Sequence, residues 1–133
     1  MSDIGVWQPD ENHVTVDAVL IERLHRAAAC LDQPDFGLTA AEVERFAALM
    51  RLPATDWTSA AADAADEQLV ALAKFFTLAE MRLPNWEALG RSPVIPLVAE
   101  LRRRGRYPRE LTGWIKANTT NRFLPYGSLL DRL

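Results

Sequence analysis

The sequence is poor in the residues that support covalent, metal and cofactor chemistry. Its 133 residues hold a single cysteine, Cys30, so no internal disulfide can form, which fits a reducing compartment. In the run Ala27-Ala28-Ala29-Cys30-Leu31 that thiol reads as a small buried hydrophobe rather than a nucleophile. Histidine is almost as scarce, with His13 and His25 alone. Glu22 and His25 have the Glu-x-x-His spacing of di-metal carboxylate bundles, but such sites need a second pair and two further carboxylates. No metal site is expected. Six glycines leave little material for a phosphate-cradling loop, and no P-loop, dinucleotide fingerprint or Gly-x-Ser-x-Gly elbow occurs. No cofactor is expected, and with no complete catalytic set the reading leans away from an enzyme.

Long apolar runs are also missing. The longest, Leu69 to Leu78, is interrupted by Lys74 and is too short to span a bilayer, so no membrane partner is expected. The acidic N-terminal stretch lacks both a basic region and an apolar one, so no secretory signal is expected and a cytoplasmic location is. Asn118-Thr119-Thr120 then reads as a chance glycosylation sequon. Twenty alanines, and 13 arginines against 2 lysines, suggest a GC-rich coding genome and a bacterial source. No strand-like alternation, internal repeat or low-complexity linker interrupts the chain.

What is abundant is helical punctuation. Thr15 reads as an N-cap with a Val14–Val19 staple, followed by the stripe Val16, Leu20, Leu24, Ala27 and Leu31. Asp32 to Gly37 is a turn by composition. Thr39-Ala40-Ala41-Glu42 is a capping box, and Pro53 ends the helix that it opens. A third helix over 66–83 is apolar on most sides, as a central helix is; Thr58 to Ala62 either starts it early or forms a separate turn. Pro84 stops it, and Asn85 to Gly90 reads as one helical turn closed by glycine. Ser92-Pro93 caps a fourth helix ended by Gly105, with Pro96 a reason to place its start later. A fifth runs over about 108–118, and Ser128 caps a last turn. The expectation is an all-α, single-domain bundle of about five helices over 1–133. Residues 1–13 form an extended arm, and 119–133 a C-terminal loop with a short helical turn.

Charge is split between the halves. Residues 1–80 hold 14 acidic and 5 basic side chains, residues 81–133 hold 4 and 10, a balance of −9 against +6. The basic half mixes arginine with aromatics, a pattern that suits an anionic partner. The residues expected to contact it are Arg104, Arg106, Arg109, Lys116 and Arg122, with Tyr107 and Tyr126 as aromatic anchors. Against this, Arg102 to Arg104 occupy a helix C-terminus, where cations complement the macrodipole whatever the function. A helix-turn-helix around Gly105 fits poorly, because Leu101 and Arg106 stand where a small and an apolar residue would pack better.

Two functional readings follow. The first is a non-enzymatic interaction or regulatory domain whose basic half engages an acidic protein face or a nucleic acid, or the acidic half of a second copy. The alternative is a small-molecule-binding domain or enzyme with a pocket near Arg82, Asn85, Trp86, Asn121, Arg122 and Tyr126. Glu80 and Glu87 with Arg82 and Arg91 read as ordinary ion pairs around the helix break at Pro84. The mixed loop Asn118 to Gly127 serves either as a recognition surface or as a pin for the chain terminus.

Overall fold

A computed structural model describes residues 15–127. They form six α-helices and no strand: α1 (Ala18–Ala28), α2 (Ala40–Phe46), α3 (Ala54–Asp63), α4 (Asp66–Arg82), α5 (Val94–Arg104) and α6 (Leu111–Ala117). Short 3₁₀ turns follow α2 at Ala47–Arg51 and precede α5 at Leu89–Arg91. None of these helices is long and apolar enough to cross a membrane. The all-helical class matches the sequence reading. The sixth helix is the separate α3, because Ala64 and Ala65 turn to extended backbone and break the alanine-rich run before α4.

The central role expected for the third helix falls to α4. It packs against α1 and α5, and α5 packs against α3. Leu69, Leu72, Phe75, Phe76 and Ala79 are fully buried along it. Phe75 and Phe76 lie edge-on at 5.0 Å; Phe36 meets Phe75 and Trp57 meets Phe76, each at 5.2 Å, and Trp86 lies 5.9 Å from Phe75. Such tilted contacts add to the burial of the rings themselves.

The caps show where local signals act. At α2 both arms of the expected capping box form: Thr39 Oγ1 accepts the Glu42 amide at 3.1 Å, and Glu42 Oε1 accepts the Thr39 amide at 2.9 Å. At α1 the expected cap is displaced. Asp17, not Thr15, accepts the Leu20 amide at 2.9 Å, so the helix begins later. Val19 then points to solvent, 79% exposed, while Val14 lies outside the described residues, as do 1–13 and Ser128. Pro96 falls in the first turn of α5, where a missing amide costs nothing, and Ser92 Oγ accepts the Val94 amide. Gly105 closes α5 in the left-handed region at φ 71°. Gly90 does not close a turn as expected. Its missing side chain lets the Phe123 ring approach, with a Cβ there falling 3.4 Å from the ring, and Leu89 carries the positive φ instead.

Candidate functional site

The end of α4 is where the chain departs furthest from simple core building. Leu83 takes an extended conformation because Pro84 disfavours helix in the residue before it. Asn85 then turns back at φ 67°, a conformation that asparagine tolerates better than most residues. Leu89 sits at φ 49°, where a leucine is strained. This loop meets the segment Thr119 to Asn121 beside the last turn of α4, where Asn121 donates to the Leu89 carbonyl. They enclose a cleft of about 410 Å³.

Glu80 lines that cleft and is 6% exposed. Its Oε2 lies 2.5 Å from Ser92 Oγ and the Asn121 side chain also acts on the carboxyl, while Oε1 makes no hydrogen bond of ordinary length among the described residues. Burial disfavours the ionised form, and Ser92 and Asn121 only partly offset it, so the pKa is pushed up to about 8. Glu80 is therefore mostly protonated at neutral pH. Asn121 is fixed around it, donating to the Leu89 carbonyl at 3.0 Å and accepting the Phe123 amide at 2.9 Å. The remaining lining is mixed. Met81 and Leu89 face solvent at 46% and 58% exposure, two of the three large hydrophobics so exposed among the described residues.

Of the pocket residues expected from sequence, Arg82, Asn85 and Asn121 line this cleft together. Trp86 does not. It is fully buried, and its indole donates to the Val43 carbonyl at 2.9 Å. Arg122 is exposed and Tyr126 half-buried, and neither lines the cleft. The ion pairs expected around the helix break are not made. Arg82 donates to the Leu31 carbonyl at 3.0 Å and Arg91 to the Arg51 carbonyl at 3.2 Å, while Glu80 turns inward to Ser92. The central part of Glu80 in the cleft was missed as an ion-pair member, though its position was legible: it stands four residues after Phe76 and seven after Ala73 on a buried face.

The basic cluster separates into two sets. Arg104 is internal in use. It pairs with Glu100 at 2.7 Å and Asp66 at 2.8 Å, and donates to the Ala61 and Ala62 carbonyls at 2.9 and 3.2 Å. Arg103 also meets Glu100, whose carboxyl these two guanidinium groups hold down at a pKa of about 2. Arg106 reaches Asp66 more loosely at 3.7 Å and is 70% exposed. Arg109, Lys116 and Arg122 have no ion-pair partner among the described residues. Tyr107 and Tyr126 share Thr112: both hydroxyls lie 2.6 Å from Thr112 Oγ1. Arg102 lies over the Tyr126 ring at 4.4 Å, which ties the C-terminal loop to α5.

On α1, Glu22 is exposed and His25 half-buried, and no group of three or more His, Cys, Asp or Glu side chains suited to a metal gathers among the described residues. Comparison with family models, curated proteins and solved structures finds no match to this chain.

Proposed function

We propose that this chain is a small-molecule-binding helical domain whose ligand sits in the cleft between the end of α4, the 84–91 loop and the 119–121 segment. The observation that carries the reading is Glu80, a buried carboxyl beside an open cleft with one oxygen that makes no hydrogen bond of ordinary length among the described residues. An unsatisfied buried group costs about 1–3 kcal/mol, and a folded chain rarely retains one without use. Two further features support it. Asn85 and Leu89, two of the three non-glycine residues with positive φ among the described residues, line the same cleft, as do the exposed Met81 and Leu89 side chains. A mixed lining of apolar walls and a few convergent polar groups is typical of small-ligand sites. No paired nucleophile and base lies among the lining residues, so binding is favoured over catalysis.

The test is equilibrium dialysis of the protein against a small-molecule cell extract, read by mass spectrometry, beside a Thr120→Trp variant that fills the cleft. The reading expects a compound enriched by the wild type and lost from the variant. It fails if nothing is enriched, or if the folded variant enriches the same compound equally.

A second reading has its own support. The exposed Arg106, Arg109 and Arg122, with Lys116, suit a non-enzymatic interaction domain that engages an anionic protein surface or nucleic acid. The pairing of Arg104 and Arg106 with Asp66 weighs against it, because part of the basic half serves the chain's own acidic half. Pull-down with and without nuclease separates the two partner classes, and salt-insensitive capture would count against both.

A further inference from the structure

Resting on the cleft reading, we infer that the ligand is a zwitterion with an apolar body, of the α-amino-acid class. Arg82 and Glu87 line the same cleft, yet they do not pair with each other, and neither has another ion-pair partner among the described residues. Arg82 is nevertheless held in place. One of its nitrogens donates to the Leu31 carbonyl, and its guanidinium lies 5.3 Å over the Phe36 ring. Both partners are uncharged, so the positive charge is positioned but not neutralised, and further N–H donors remain. Glu87 is exposed and carries the opposite charge on the loop after α4, which lines the same cleft.

A ligand carrying a carboxylate and an ammonium matches both charges at once. One carrying a single charge leaves one of them unmatched. Glu80 competes little for the ammonium at neutral pH, since burial raises its pKa to about 8. The side chains of Met81, Leu83 and Leu89 give the apolar body of the ligand its contacts. The volume of about 410 Å³ lies near the lower end of small-ligand sites and suits a single amino acid or a very short peptide.

The experiment uses three probes with one branched hydrocarbon body: L-leucine, 3-methylbutylamine, which lacks the carboxylate, and 4-methylpentanoate, which lacks the ammonium. Each is titrated into the ¹⁵N-labelled full chain. Leucine is expected to move the Asn85, Leu89 and Asn121 amide resonances and to bind about three- to fivefold tighter than either analogue, as partly exposed ion pairs allow. In Glu87→Gln its advantage over 4-methylpentanoate disappears and its advantage over the amine remains. Arg82→Gln gives the reverse. The exposed Glu87 side chain makes no hydrogen bond or ion pair among the described residues, so its variant suffices should Arg82→Gln fold poorly.

The inference is overturned if an analogue binds the cleft as tightly as leucine, or if Glu87→Gln keeps the full advantage over 4-methylpentanoate. Either result leaves the cleft a binding site for another class of ligand. If none of the probes moves those resonances the amino-acid class is also overturned, and the dialysis experiment alone decides the cleft reading.

Discussion

One hydroxyl joins two helices: Ser92 Oγ accepts the Val94 amide at 3.1 Å and lies 2.5 Å from the Glu80 carboxyl. It caps α5 and anchors the buried end of α4 together. The arrangement has a defined pH signature. Unfolded, Glu80 ionises near 4.5; folded, it keeps its proton to about 8. Between those values the native state binds the extra proton, so stability falls as pH rises through this window and levels off above it. Glu80→Gln, which cannot ionise, is expected to remove that slope. Urea unfolding at pH 5 and pH 8.5 checks it: the variant should gain roughly 3–5 kcal/mol on the wild type between the two. Parallel wild-type and variant profiles would show that Glu80 ionises normally.

The acid limb of the same profile is shared by two depressed carboxylates, Glu100 and Glu42. Glu42 receives both arms of the Arg23 guanidinium at 2.7 Å and the Thr39 amide at 2.9 Å. The Arg23 hydrogen bonds, chiefly, bring its pKa down to about 2. A depressed carboxylate stabilises the fold above its unfolded pKa and loses that contribution as pH falls through the folded one. Glu42→Gln should therefore cost about 1–2 kcal/mol at pH 7, an effect that shrinks towards pH 2. With Glu80 acting from the other side, maximum stability should fall near pH 5 rather than pH 7. A stability profile from pH 2 to 9 with its maximum at 7 or above would refute this.

Core and cap differ in scale. Phe76 is fully buried against Phe75, Trp57 and Trp86, whereas Thr39 is an exposed cap. Phe76→Ala should cost about 3–5 kcal/mol and Thr39→Ala about 1 kcal/mol. Denaturant midpoints for the two variants give the comparison, and a larger loss for Thr39→Ala would contradict the central place of α4.

What could be read from sequence was what is encoded locally. Thr39 and Glu42 satisfy each other within one turn, Gly105 supplies a conformation that other residues resist, and the stripe through Leu69, Leu72 and Phe76 needs one neighbouring surface of any kind. The cap of α1 was misplaced by two residues because Thr15 and Asp17 are both competent, and the choice rests on where the helix packs. The cleft was half legible. Arg82, Asn85 and Asn121 stood out by composition, but Asn121 meets Leu89 across 32 positions, and nothing in the sequence aligns those segments. Trp86 was misplaced because an indole beside a turn looks the same in sequence whether it faces a ligand or, as here, the Val43 carbonyl. Arginine clusters carry the same ambiguity, since geometry alone tells a clamp from a docking face.

Two neighbouring arginines make that last distinction measurable. Arg104 joins three helix ends, through Glu100 on α5, Asp66 at the start of α4 and the last carbonyls of α3. Removing it leaves those carbonyls and both carboxylates without their shared donor. Arg106, two residues on, reaches Asp66 at 3.7 Å with 70% of its side chain in water, where an ion pair contributes little. Arg104→Gln is therefore expected to lower the melting temperature clearly. Arg106→Gln should change stability by less than about 0.5 kcal/mol. Raising salt should narrow the gap only slightly, because the Arg104 contacts are short, directional and partly shielded, while screening acts mainly on exposed, separated charges. Calorimetry of both variants at low and high salt decides it. Equal melting temperatures would mean that Arg104 is not a clamp, and would return it to the exposed basic set with Arg106 and Arg109.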